Sequence, residues 1–562
     1  MQLDFLDGQE IDVTIDTFHC VGYWTPEAGS ETGKPLSLAE GLQRIHEDAF
    51  VVLQDEELCC MMNGVGHIGT FQDQKNSKML VSVAPACPLD NLGDQSFIQD
   101  HGLRYPYYAG AMANGIASEE LVESLGRAGM LGFFGAAGLP PKRIEAALKR
   151  LTESMDGLPF GVNLINSPNE PRWQQEVADL LLQYGVRLVE ASAYISLSLP
   201  LIKYRVKGLY RDKNGKVVAP NKVIAKASRV EVASRFFAPP PERMLDKLLA
   251  SGEITEEEAT LAKEIPVAQD LTAESDSGGH TDHRPAITLL PALLKLRDEM
   301  QAQYNYPDPL RVGLGGGIGT PMAAAAAFSM GAAYIVTGSV NQACVEAGTS
   351  DYVKALLADA TQTDVEKAPA ADMFEMGVTV QVLKKGCRYG VRGAKLYDTY
   401  KEYDSIDEIP ADERSKLEEQ IFRAPLEDIW EQTKQFFQQI DPTQIEKAEK
   451  RPRHKMALIF RWYLGQSSGW ALRGVADRQE DYQIWCGPAM GAFNDWTKGS
   501  HLEEPTNRKV VDVALNLLYG AAVQLRINSL RLQGLTVSSS DAPVTPRTMK
   551  AMTPYLVSES LL

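Results

Sequence analysis

Residues 311–339 read RVGLGGGIGTPMAAAAAFSMGAAYIVTGS, and this stretch decides the fold. Arg311–Leu314 is a short apolar strand running into Gly315, Gly316 and Gly317. Thr320 and Pro321 then suit a helix N-cap and the first helical position, where a hydroxyl accepts a free N–H and proline loses nothing. Met322–Met330 is small, apolar and helical, and Ala332–Val336 is a second buried strand that ends at Thr337, Gly338 and Ser339. Two consecutive strand ends therefore carry glycine-rich turns whose free backbone N–H groups suit a phosphate. Tight packing of helix on strand also wants glycine and is the alternative reading. In a barrel of eight parallel strands, the loops after strands seven and eight are the usual phosphate site.

Upstream, the same alternation repeats. Tyr107–Met112, Gly129–Ala136, Phe160–Ile165, Val186–Ala191, Val223–Ala227 and Ile265–Leu271 read as six more strands. Between them Ser118 caps a helix with Glu119 and Glu120 in its first turn, and Ile144–Met155 and Trp173–Tyr184 are helical. Tyr204–Pro220, with its Lys213-Asn214-Gly215-Lys216 turn, reads as a hairpin insertion. Eight strands separated mostly by helices define an α/β fold, a (β/α)8 TIM barrel. A doubly wound open sheet competes, but no GxGxxG fingerprint follows the first strand.

The chemistry concentrates before strand seven. Glu274–Pro285 reads ESDSGGHTDHRP. Gly278 and Gly279 offer backbone without Cβ, against which a planar ligand can lie. His280 follows at once and can give or take a proton near neutral pH. Asp276, Asp282, His283 and Arg284 share the segment. An exposed polar loop is the plain alternative.

At 562 residues the chain is long enough for two or three domains. We expect a small N-terminal α+β module over 1–100, with β-prone runs Ala49–Leu53 and Met79–Val83. The barrel should occupy 101–410, with insertions at about 200–221 and 236–264, and a helical lid or substrate domain 411–562. In the last region Glu413–Phe437, Gln444–Trp462 and Asn507–Leu532 read as long helices. The segment from Trp485 to Trp496 reads as an aromatic and glycine loop holding Met490 and Phe493. It is either a packing corner or a lid wall lining a channel for a hydrophobic substrate.

A net charge of −18 argues against general nucleic-acid binding. No run of 18 apolar residues is present, so no membrane span is expected. The opening MQLDFLDGQEIDV lacks the basic start and apolar core of a signal peptide. Seven scattered cysteines, none in a CxxC pair, support neither a disulfide framework nor a zinc site. A reducing, cytoplasmic compartment and no metal are the expectation.

Taken together, these residues resemble the nitronate monooxygenase-like superfamily of TIM barrels, and within it the PfaD family. The resemblance is strongest over Gly110–Gly115, Glu274–Pro285, Gly315–Thr320, Met373–Gly386 and Trp485–Trp496. PfaD proteins are trans-acting enoyl reductases of polyunsaturated fatty acid and polyketide synthases. The resemblance implies FMN across the barrel mouth. Ala111, Met112 and Ala113 would pass backbone along the ring, and Asn163 would hydrogen-bond it or its ribityl chain. Lys226 would reach the ring's N1/O2 side; a lysine ending a strand is otherwise a surface group. Gly278 and Gly279 would line the site, and Gly315, Gly316, Gly317, Thr337, Gly338 and Ser339 would hold the phosphate. His280 would act on substrate as proton donor or enolate stabiliser. The implied partners are NADPH or NADH as co-substrate, an acyl carrier protein, and a second copy of the chain. Carrier proteins are acidic, so docking needs a basic patch. Lys450, Arg451, Arg453 and Lys455 lie in the densest one, whose alternative reading is a solvated helix end. Ser277 stands where many nitronate oxidisers carry alanine and is compatible with either chemistry. A nitronate-oxidising flavin oxygenase and a non-catalytic synthase partner are the competing functions.

Overall fold

All eight strands of the alternating pattern form, and they close into one barrel. The computed structural model describes residues 20–27, 34–69, 76–168, 170–538 and 544–556. The acidic opening segment falls outside them. The chain divides into two compact units, Asp90–Leu518 and Met1–Leu89 with Tyr519–Leu562.

In the larger unit the barrel strands are β1 Tyr107–Ala109, β2 Leu131–Phe134, β3 Gly161–Ile165 and β4 Leu188–Ser192. They continue as β5 Lys222–Ala227, β6 Asp270–Glu274, β7 Arg311–Gly315 and β8 Ile335–Thr337. Every neighbour runs parallel, and β8 pairs back onto β1. β6 begins later than the apolar run suggests. Ile265–Ala268 is buried for another reason: Ala268 and Val267 donate to the carbonyls of Phe236 and Ala238, docking a loop under the helix Val230–Phe237. Ser118 and Thr320 cap their helices as read, each accepting an N–H three residues on.

The barrel interior is packed rather than open. Tyr108, Phe133, Leu188, Ile224, Tyr334 and Val336 form its cluster. The tyrosine hydroxyls are satisfied there: Thr272 Oγ1 lies 2.7 Å from Tyr108 Oη and 3.1 Å from Tyr334 Oη. The helix Gln95–His101 plugs the N-terminal end. Arg311 bonds Asp270 Oδ1 and Asp100 Oδ2, each at 2.6 Å, and His101 Nε2 meets Asp270 Oδ2 at 2.8 Å. These charged groups close the bottom and leave the C-terminal mouth for chemistry.

The insertions carry more helix than hairpin. Leu199–Val206 is helical before a small hairpin pairs Tyr210–Arg211 with Val217–Val218. Asp212 Oδ1 accepts from the Asn214 and Lys216 amides to shape its turn. Farther along, the expected long helices are broken. Glu413–Phe437 splits into Ala411–Leu417, a π-helical turn at Glu418–Phe422 and Leu426–Ile440. Pro425 cannot donate the helical bond, and Arg423 takes a left-handed φ of 57°. Pro452 ends the next helix, Thr443–Lys450, in the same way, and Pro452–Arg473 follows.

The smaller unit holds an antiparallel sheet of six strands among its described residues. The two expected strands appear as Ala49–Gln54 and Lys78–Ala84, over a core of Trp24, Val52, Met61 and Leu80. Arg526 is buried and donates to the carbonyls of Leu42, Arg44, Glu47 and Ala84. It lies on Val510–Leu532, which is long and apolar enough to cross a membrane by length and composition. That window is 83% buried within the protein, as a core helix requires.

Candidate active site

β4, β5 and β6 bring three charged side chains to the barrel mouth. Lys226 Nζ on β5 bonds Glu274 Oε1 on β6 at 2.9 Å. Glu190 on β4 is fully buried; its Oε2 accepts the Ala111 amide at 3.1 Å. Its Oε1 makes no close hydrogen bond, and the Tyr108 hydroxyl is a further polar group acting on the carboxyl. Burial pushes the Glu190 carboxyl above its ordinary value, although Lys226 pulls the other way. For Lys226 burial alone would lower the value; Glu274 and Glu190 more than offset it and hold the ammonium charged. Asn163 sits on β3 opposite Glu190 and donates to Ser192 Oγ at 3.0 Å and to the Glu190 carbonyl at 3.2 Å. So Ala111, Asn163 and Lys226 do meet at one end of the barrel, with Glu190 joining them.

His280 is held by a sheet rather than by a free loop. Gly279–His280 pairs antiparallel with Thr379–Leu383, which pairs in turn with Val365–Pro369. Gln381, opposite Gly279, sends its side-chain Nε2 to Asp276 Oδ1 at 3.1 Å and to the Ser277 carbonyl at 2.9 Å. On the other flank Asp282 takes a two-pronged bond from Arg229, at 2.8 and 3.0 Å. Gly279 and His280 are thus held in a short strand, while Asp282, Arg284 and Pro285 remain exposed. The His280 ring keeps 36% of its surface and bonds Asp372 Oδ1 at 3.2 Å. Burial would lower its pKa, but Asp372 outweighs this and raises it. Burial would raise Asp372, and the bond to His280 turns the shift downward.

The glycines differ in what surrounds them. At Gly278 a Cβ would stand 2.8 Å from the Cys486 amide nitrogen, so its bare face is filled by protein backbone rather than left for a ligand. Gly315 faces Thr272 and Val336 inside the barrel. Gly316, with φ of 90°, is pressed against Ser275, whose hydroxyl also ties the carbonyls of Gly315 and Gly316. Gly317 and Gly338 differ: a Cβ on either would meet nothing within 4 Å. Both stand at strand ends, of β7 and β8, with open space beside them, where the sequence places the candidate phosphate cradle. Thr337 and Ser339 use their hydroxyls internally, the first with Tyr107 and Asn341, the second accepting the Gly487 amide at 3.0 Å. In the β1 loop, the Met112 carbonyl packs against Gly135 and accepts from Ala117 N–H, while Asn114 adopts a φ of 58° after Ala113.

Trp485–Trp496 is half junction and half helix. Trp485 bridges to Val382, and its ring is 3.8 Å from where a Cβ on Gly279 would stand. From Ala489 to Thr497 the chain is helical; Met490 and Phe493 are fully buried, with Trp496 5.8 Å from the Phe493 ring. Met490 and Phe493 thus serve the packing corner, and Trp485 lies against the histidine segment. In the basic cluster Lys450 and Arg451 are exposed. Arg453 bonds Asp404 at 2.8 Å, and Lys455 lies 5.3 Å over the Trp430 ring.

Glu190, Glu274, Asp372 and Gln381 are the site residues that motif reading passed over. Glu190 had a signal: a lone carboxylate inside the apolar strand VRLVEA. The others depend on partners far away in sequence.

Comparison with known proteins agrees with this geometry. The family described as nitronate monooxygenase matches residues 95–385, and the inserted helical domain of [acyl-carrier-protein] S-malonyltransferase matches 403–482. The chain belongs to the nitronate monooxygenase family of oxidoreductases, and within it to the PfaD-like group. The enoyl reductase domain of MlnA, from the macrolactin biosynthesis cluster of Bacillus amyloliquefaciens, is 42% identical with a TM-score of 0.76; the match covers 80% of this chain and all of that one. One of the polyunsaturated fatty acid synthase polypeptides of Thraustochytrium is 47% identical over 457 residues, 80% of this chain and 30% of its own. Polyketide biosynthesis protein PksE of Bacillus subtilis is 48% identical over 437 residues, 78% of this chain and 57% of its own. The chain thus spans about a third to just over half of these two curated relatives.

Proposed function

We propose that this chain is a flavin-dependent enoyl reductase. It would take FMN at the barrel mouth, consume NADPH or NADH, and reduce trans-2-enoyl thioesters presented in trans by an acyl carrier protein. Its setting would be polyunsaturated fatty acid or polyketide biosynthesis in the cytoplasm. The observation that carries the reading is the mouth itself: two bare glycine faces, a held-charged lysine and a sheet-mounted histidine at the ends of consecutive barrel strands. The similarity to the MlnA domain supports the same reaction class.

FMN, when bound, would supply the two-electron relay between nicotinamide and substrate. The residues supply the rest. The Gly317 and Gly338 faces would leave room for a phosphate, and the Ala111 backbone, fixed by Glu190, would be among the residues that hold the ring. Lys226 offers a positive charge that its two carboxylate neighbours keep protonated. His280 would give a proton to the α-carbon or stabilise the enolate, and Asp372 orients its imidazole and favours the protonated form. The balance is enoyl thioester, NAD(P)H and one proton to saturated thioester and NAD(P)+. The helical segment 403–482, similar to a domain of an acyl-carrier enzyme, is the proposed carrier-facing region.

Anaerobic stopped-flow absorbance tests the proposal. NADPH should bleach the flavin band of the purified holoprotein, and an enoyl thioester should restore it. A yellow protein that NADPH does not bleach, but that oxidises a nitronate with O2, overturns the reductase in favour of the oxygenase.

A further inference from the structure

Glu190 is a carboxylate with no exposed surface; its Oε2 holds the Ala111 amide, and the Tyr108 hydroxyl also acts on the carboxyl. A carboxylate is seldom buried without a role for its hydrogen bonds, so its presence inside the barrel needs a reason. Its position supplies one. Glu190 stands on β4, and the amide it holds belongs to Ala111, just past the end of β1. β1 and β4 are not neighbours: β2 and β3 lie between them on one side and four strands on the other. The side chain therefore reaches across the barrel rather than along its wall. The preceding amide, Gly110, is already fixed at the wall by the Thr337 carbonyl at 3.0 Å. Ala111 is the first residue whose amide leaves the ladder for the interior. Gly110 lies beside the carboxyl: a Cβ there would be in ordinary contact with Glu190 Oε1 at 3.5 Å and tight only against Val336 Cγ1 at 3.2 Å. Lys226, on the adjacent strand β5, is the cation that faces this carboxyl.

We infer that Glu190 is a positioning residue for the flavin: a strut of fixed length across the barrel mouth that holds the Ala111 backbone where the ring edge must lie. The inference rests on the proposed flavin site. It assigns to Glu190 a role set by reach rather than by charge. Glutamine keeps both the reach and an acceptor for the Ala111 amide, whereas aspartate keeps the charge and falls one methylene short.

The test is FMN titration of apoprotein by fluorescence quenching for wild type, Glu190→Gln and Glu190→Asp, with thermal unfolding of each apoprotein as the folding control. Wild type and Glu190→Gln should bind within about threefold of each other, while Glu190→Asp should bind at least tenfold more weakly and still unfold in one cooperative transition well above the titration temperature. The reverse order makes Glu190 a counter-ion for Lys226 and overturns the strut. Equal affinities in all three overturn it as well. A wild-type chain that binds no flavin defeats the function proposed above, a separate outcome from either.

Discussion

Gly316, Gly317 and Gly338 allow backbone strain and ligand contact to be measured apart, by alanine at each. Gly316 has φ of 90°, and a Cβ on it would lie 2.6 Å from Ser275 Oγ, 2.7 Å from the Ser275 carbonyl oxygen and 2.8 Å from that of Asp276. The left-handed backbone costs an alanine about 1–2 kcal/mol. Forcing a methyl against two carbonyls adds about 1–3 kcal/mol, since the backbone cannot step aside as a flexible side chain would. At about 2 °C per kcal/mol, Gly316→Ala should lower the melting temperature by about 4–10 °C. Gly317 has φ of 72° and an open Cβ direction. Gly317→Ala therefore meets only the backbone cost, about 2–4 °C. Gly338 has φ of −131° and open space, so Gly338→Ala should leave the melting temperature within about 1 °C. Ligand affinity should follow a different order. The methyls of Gly317→Ala and Gly338→Ala enter the space assigned to the phosphate and should each weaken FMN binding about tenfold. Differential scanning fluorimetry of the apoproteins and flavin titration give the two readouts. If Gly316→Ala is no more destabilising than Gly317→Ala, the close approach to Ser275 is wrong. If Gly338→Ala binds FMN as wild type does, the cradle is wrong.

Asp372→Asn removes the partner that raises His280, so the imidazole loses its proton at lower pH. Activity that needs protonated His280 falls as pH rises through its folded value; in the variant this fall should shift to lower pH while bleaching by NADPH is untouched, and an unshifted pH–rate profile refutes the role. At the barrel floor, Arg311→Met leaves Asp270 buried without its guanidinium, at a cost of about 3–5 kcal/mol at pH 7. Burial would raise Asp270, but Arg311 and His101 together hold it far below the carboxylate range. Wild type therefore keeps this stabilisation until strongly acid pH, whereas the variant's Asp270 protonates more readily. The difference in urea midpoint should narrow between pH 7 and pH 4. The double charge reversal Lys450→Glu with Arg451→Glu alters only exposed groups. It should raise KM about tenfold for carrier-bound substrate and leave a small thioester analogue unaffected; equal loss on both removes this patch as the docking surface.

The barrel was legible because its strands are short apolar runs set off by helix caps and glycine turns, signals that lie within a few residues of one another. Where it misled, as at Ile265–Ala268, apolar residues were buried by a docking loop instead of a ladder, and composition cannot tell these apart. The broken helices show the complementary limit: Pro425 and Pro452 were present in the sequence, but the amphipathic pattern continued across them. In the site, His280, Lys226 and the glycines were visible as residue types in telling places. Their partners were not. Asp372 lies 92 residues from His280, and Gln381 lies 105 residues from Asp276. Likewise Gly278 looked like a surface for a ligand until Cys486 occupied it, a contact no local pattern encodes.

The sheet that carries His280 has a consequence for how the protein is made. Its second strand, Thr379–Leu383, and the segment beyond it, where Ile484 accepts the Leu383 amide at 2.8 Å, leave the ribosome long after the barrel strand β6. At about 5–20 residues per second, synthesis takes roughly 10–40 s to travel from His280 to Trp485. For that interval the histidine segment lacks the partners that shape it, even as the barrel strands through β8 are already available to pair. The sheet around His280 is therefore completed well after the barrel strands have been made. A truncated product ending before Thr379 retains every barrel strand and Asp372, yet lacks the strand against which Gly279 and His280 pair.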